Sequence, residues 1–181
     1  DLKKTSWNNK EERIQYGKKL KPFLKTLPNK QRERLYHQLI KSFDDVSVPK
    51  NLMLDWDEVS YLSRKGVVIG SHTVSHPLLE KIEIEAEIEE ELGKSYEELA
   101  QKLTVPLSIA YPVGSYDNRV KKISKKIGYK YGLAVNHISY DQEKHDLFEI
   151  PRIDLYTESF LKSKMRINGT LMRVKQLINR A

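Results

Sequence analysis

Two histidines four residues apart carry the first chemical signal in this chain: Ser71-His72-Thr73-Val74-Ser75-His76-Pro77, directly after Gly70. A neutral imidazole presents one unprotonated ring nitrogen, and two such nitrogens on one face can hold a zinc-like ion with positions left for a carboxylate and a water. If the segment turned helically, the four-residue spacing would put both rings on the same face. Taken alone, the pair fits better a turn closed by one histidine while the other packs in a polar pocket.

The elements that must position the pair can be read on either side of it. Val67-Val68-Ile69 is a short β-branched run between Gly66 and Gly70 and is expected to be a buried strand, with the histidines just past its end. Ahead of it, Asp55 begins a helix with Asp57 and Glu58 in the first turn, and Gly66 ends it. Behind it, residues 83–103 form an acidic helix with an apolar stripe of Ile84, Ile88, Leu92, Tyr96, Leu99 and Leu103, weakened at Gly93. Leu107 to Tyr111 predict a strand, Pro112 to Asp117 a turn, Asn118 to Ile127 a basic helix stopped by Gly128, and Tyr129 to Val135 another strand. Residues 137–147 are polar and irregular, Ile150 to Ile153 are a short strand, and two helices close the chain around Gly169. Strands alternating with helices from Val67 to Ile153 argue for parallel βαβ units.

Residues 1–50 read differently, as a helical insertion or flank. Asn8 to Leu27 are amphipathic, with Asn8 or Asn9 as N-cap and with Pro22 expected to kink or divide the helix; Pro28 starts a second helix that runs to Phe43. The loop that follows contains Pro49.

Composition narrows the class. With 181 residues, 39% hydrophobic and 31% charged, the chain suits one folded domain rather than a disordered segment. No apolar run approaches the ~18 residues of a membrane span. The absence of cysteine removes disulfides and thiolate metal sites. The net charge of +7 is spread along helices as solvated lysines, without the aromatic interleaving of a nucleic-acid platform. The chain opens on Asp1 without a signal-peptide pattern, so its natural start is expected upstream.

Three stretches together resemble a known family. Ser-His-Thr-x-Ser-His-Pro after a glycine-ended strand is similar to the second motif of the NodB-homology polysaccharide deacetylases (carbohydrate esterase family 4), whose two histidines bind the catalytic metal. Tyr111-Pro112-Val113-Gly114 resembles their third motif, which lines the substrate groove and helps hold the oxyanion, and Pro151-Arg152-Ile153 resembles a late strand of the subfamily. Leu52 to Val59 before the histidines and the acidic helix after them complete the order. The resemblance spans about residues 51–155.

The resemblance implies a metal-dependent hydrolase that removes N-acetyl groups from a polysaccharide or oligosaccharide. His72 and His76 would be metal ligands, zinc the expected ion, Tyr111 a groove-wall and oxyanion-hole residue, and Arg152 a residue that orients a carboxylate at the rim, unless it makes only a surface ion pair. The fold implied is α/β: a partial irregular (β/α) barrel over residues 51–181, lacking its first strand-helix units and carrying extra N-terminal helices. Open strand edges in such a barrel offer pairing to a second copy. A cell-envelope or extracellular setting is expected for the full-length parent.

Two family features are not visible. The Phe-Asp-Asp-Gly motif, which supplies the base and a third ligand, is expected upstream of Asp1. Ser42-Phe43-Asp44-Asp45-Val46 imitates it but ends a helical pattern and lacks the glycine. The family's acid histidine has no clear counterpart, since His137 and His145 lie in the irregular segment and His37 is mid-helix. A second reading is therefore a non-catalytic deacetylase-like domain that binds a glycan or a partner. A third, ranked lower, is a basic helical module for an anionic polymer. Asn168-Gly169-Thr170 also fits a glycosylation sequon, a short match that arises readily by chance.

Overall fold

The computed structural model describes residues 6, 8–43, 47, 52–135, 138, 140–143, 146–171, 174 and 178. Within them, helices α1 (Lys10–Thr26) and α2 (Asn29–Lys41) come first, followed by α3 (Trp56–Arg64) and α4 (Glu85–Lys102). Strand β1 (Ser108–Ala110), helix α5 (Asn118–Ile127), strand β2 (Tyr131–Ala134), strand β3 (Ile150–Pro151) and helix α6 (Phe160–Ile167) complete the order. The strands form a parallel sheet in the order β1-β2-β3, with Ile109 opposite Gly132 and Leu133 opposite Ile150. This is the expected α/β architecture.

Local chemistry sets most helix boundaries where the sequence places them. Asp55 caps α3 through the Glu58 amide, and Glu58 returns the bond to the Asp55 amide, closing a capping box. Gly128 ends α5 at φ 123°, a left-handed value open to glycine. Pro22 does not divide α1. It removes only the bond to the Lys18 carbonyl, and both residues lie on an exposed face where water can replace that bond. Gly93 likewise leaves α4 unbroken.

Asp117 caps α5, its carboxylate accepting from the amides of Arg119 at 2.9 Å and Val120 at 3.0 Å and pairing with the Arg119 guanidinium at 2.8 Å. Partial burial pushes its pKa up, but these bonds outweigh that and hold it below the ordinary value. The folded pKa is thus lower than the unfolded one, so this contribution is complete above the unfolded value and fades as pH falls through the folded one. Asp117→Ala is expected to lower stability by about 1 kcal/mol at neutral pH, with the deficit closing in acid. Denaturant titrations of both proteins across that range check it, and a pH-independent deficit would contradict it.

The core lies between the sheet and helices α4 and α5. Ile88 and Leu92 of α4, Val120 and Ile123 of α5, Ile109 of β1, and Tyr111, Tyr129 and Phe148 join in one buried cluster. The Tyr129 hydroxyl donates to the Leu92 carbonyl at 3.0 Å, and burial pushes its pKa up to about 12.

Val67 to Ile69 do not form the expected buried strand. They lie outside the sheet in no regular element, with Val68 86% exposed. Only Ser71 makes a bridge, pairing parallel with Ile109. A β-branched run becomes a strand only where neighbouring backbone supplies a ladder, and among the described residues β1 alone pairs with this segment, at the single position Ser71.

Candidate metal centre

The segment after Gly70 is held against β1 at close range. The Ser71 amide donates to the Ser108 carbonyl, and the Ala110 amide donates to the Ser71 carbonyl, each at 2.9 Å. Gly70 permits this approach, because a β-carbon there would sit 2.6 Å from Ser108 Oγ. Ser71, 2% exposed, shares a hydrogen bond of 2.8 Å with Ser95 of α4. His72 is thereby placed beside Ala110, the last residue of β1, at the C-terminal rim of the sheet. Active sites of parallel α/β folds gather at that rim.

The histidines meet, but not by a helical turn. The stretch from His72 to His76 is a loop in which Thr73 (φ 67°) and His76 (φ 58°) are left-handed. The rings lie edge to face with centroids 4.8 Å apart. Thr73 Oγ1 accepts from the His76 amide at 3.1 Å, which closes the turn. His72 Nδ1 lies 2.5 Å from the Ala110 carbonyl oxygen. A carbonyl can only accept, so Nδ1 carries the proton and the neutral ring keeps Nε2 free as a ligand atom. Metal-ligating histidines are commonly oriented by such a bond from their other nitrogen.

Backbone strain marks the same rim. Thr73, His76 and Val113 are the three non-glycine residues with positive φ among those described. Left-handed non-glycine residues cost on the order of 1–3 kcal/mol each and cluster at ligand sites. All three flank the C-terminal end of β1. Glu91 of α4 faces the strained loop: its carboxylate accepts from the amides of Val74 at 3.0 Å and Ser75 at 2.9 Å and from the Ser75 hydroxyl at 2.6 Å. The sequence reading did not single out Glu91, which is one of many acidic residues along that helix.

The other candidates stand apart from this pair. The Tyr111 ring is fully buried, stacked on Tyr116 at 4.7 Å, and its hydroxyl donates to the Phe148 carbonyl at 3.1 Å. Its amide donates to the Leu133 carbonyl at 3.2 Å. In this structure Tyr111 is thus a core residue that ties β1 to the segment before β3, not a wall of an open groove. Tyr111→Phe is expected to cost about 0.5–1.5 kcal/mol through the lost bond, read by denaturant unfolding. Arg152 turns to the end of β2, its amide and Nε both 3.1 Å from the Ala134 carbonyl, and makes no ion pair among the described residues. Asp44, Asp45, His137 and His145 lie outside the described residues. No third His, Asp or Glu joins the pair as a metal-binding group among the described residues. A cavity of about 510 Å³ adjoins His76, with Ser75 and His76 on one side and Leu24 of α1 and Arg32, Tyr36 and His37 of α2 on the other.

The fold has counterparts among known proteins. The family model described as polysaccharide deacetylase matches residues 15–132, and the chain belongs to the polysaccharide deacetylase family. The Streptococcus pyogenes deacetylase PplD, solved in complex with acetate, is similar in structure with a TM-score of 0.59 at 23% identity, over 65% of this chain and 51% of that one. BC0361, a polysaccharide deacetylase from Bacillus cereus, gives 0.57 at 24% identity over 65% of this chain and 37% of its own. A de-N-acetylase from Aggregatibacter actinomycetemcomitans gives 0.56 at 15% identity over 67% and 55%. At these identities the likeness is one of fold, and the chain spans about half the length of these structures or less. Comparison with curated proteins gives no significant match. Among the described residues no helix is long and apolar enough to cross a membrane.

Proposed function

We propose that this chain carries the metal-binding histidines of a divalent-metal hydrolase that removes N-acetyl groups from a polysaccharide. The observation that supports this best is the His72 ring, anchored through Nδ1 on the Ala110 carbonyl with the His76 ring 4.8 Å away. Family membership is consistent with the reaction. The donor set fits a zinc-like ion: His72 and His76 would hold it, with positions left for oxygen ligands from outside the pair. A divalent ion bound there supplies Lewis-acid polarisation of the acetamide carbonyl and makes hydroxide available near neutral pH.

The chain's own residues do the rest of what can be assigned. The Ala110 carbonyl holds the proton on His72 Nδ1 and so keeps the other nitrogen directed outward. Both histidines are exposed, so an acetamide on a long polymer can reach them without threading a tunnel. We place the saccharide in the cavity beside His76, where the Tyr36 ring, 52% exposed, offers a stacking face and Arg32 and Glu33 offer polar partners.

The test is acetate release from N-acetylglucosamine oligomers, with zinc and after chelation. Release that needs the metal and is lost in His72→Ala supports the reading. Release indifferent to chelation would overturn the metal, and zinc bound without release would assign the chain a binding role instead.

A further inference from the structure

The four-residue spacing does not by itself bring the two imidazoles together, because the loop between them is not helical. Thr73 and His76 bracket Val74 and Ser75 in a backbone conformation that side chains other than glycine seldom adopt. Some contact outside the loop must hold it there. Helix α4 supplies it from two positions one turn apart. Ser95 grips Ser71 on the near side of His72, at 2.8 Å. Glu91 grips Val74 and Ser75 on the far side, through three bonds of 3.0, 2.9 and 2.6 Å. Ile88, Leu92 and Leu99 of the same helix are buried in the core, so the gripping residues ride on a rigid element.

We propose that Glu91 is the positioning residue of the histidine pair: its carboxylate holds the 73–76 loop in the strained form that sets the His76 ring against His72. It does not touch the reacting atoms. It accepts both loop amides on Oε2 and the Ser75 hydroxyl on Oε1, a pattern that needs two polar atoms at this reach. The consequence for metal binding rests on the function proposed above; the consequence for the ring pair does not.

The experiment compares Glu91→Ala, Glu91→Asp and Glu91→Gln with the unaltered chain by three readouts. These are the nuclear Overhauser contact between the His72 and His76 ring protons in metal-free protein, zinc affinity by calorimetry, and the thermal midpoint. Alanine removes all three bonds, and aspartate keeps the charge but is a methylene too short. Both are expected to lose the ring contact while the chain stays folded, and to bind zinc about 10–100-fold more weakly. Glutamine keeps an oxygen for the amides and can donate to Ser75 Oγ, so it is expected to recover the ring contact. Glu91 is half-buried and outside the apolar cluster, and should alanine still prevent folding, aspartate decides. A ring contact unchanged in the folded alanine or aspartate variant overturns the proposal. If the unaltered chain binds no zinc, the metal reading fails, and the ring contact still decides the role of Glu91.

Discussion

His72→Ala and His76→Ala are each expected to weaken zinc binding by more than the ~10–100-fold that follows loss of an outer partner of a metal ligand. Each removes a ligand nitrogen itself, and a single imidazole cannot chelate. Stability should change little, because both side chains are exposed and the anchoring bonds of Ser71 to Ser108, Ala110 and Ser95 remain. Calorimetry and thermal unfolding on the same samples separate the two effects. The informative contrast is His37→Ala. His37 lines the cavity opposite His76 from α2, and its loss should leave zinc binding near that of the unaltered chain if the pair alone supplies the nitrogen ligands. Equal losses for all three histidines would mean that the ion sits between α2 and the loop.

Gly132→Ala is expected to be the most damaging single methyl group in the sheet. A β-carbon at Gly132 would lie 2.2 Å from the Tyr111 hydroxyl oxygen and 2.6 Å from the Phe148 carbonyl oxygen, two atoms that are themselves hydrogen-bonded to each other. Neither can yield easily: one belongs to the backbone, and the other ends a fully buried ring stacked on Tyr116. Overpacking of this kind costs about 1–3 kcal/mol, and forcing the Tyr111–Phe148 bond apart adds about 1 kcal/mol. A fall in the denaturation midpoint of that size is the expected result. The double variant Gly132→Ala, Tyr111→Phe should lose less than the sum of the singles, since removing the hydroxyl relieves the closest contact.

These two cases also show what could be read from residues in order. The histidine pair was legible because its chemistry is carried by residue type, and the helix limits at Asp55, Asp117 and Gly128 because caps act within a few residues. The parallel alternation from β1 to β3 follows from apolar runs separated by a capped helix. What escaped depends on partners far along the chain. Val67 to Ile69 have strand-forming side chains, yet a ladder needs a neighbour, and only Ser71 finds one in β1. Tyr111 ends a strand as a rim residue would, but Gly132, on the adjacent strand, opens a slot that takes its ring inward. Nothing local to Tyr111 announces that slot. Glu91 shares its helix with Glu89, Glu90 and Glu97, and only the packing of α4 against the loop distinguishes it from them. The pairing of the histidines was anticipated through a helical turn and arises instead from a strained loop.

The most direct test of the central claim is a zinc titration followed by long-range proton–nitrogen correlations of the imidazole rings. His72 is expected to start with its proton on Nδ1, as the Ala110 carbonyl requires. One equivalent of zinc is expected to shift Nε2 of His72 and one nitrogen of His76 together. A His72 ring protonated on Nε2, with both rings unmoved at saturating zinc, would contradict it.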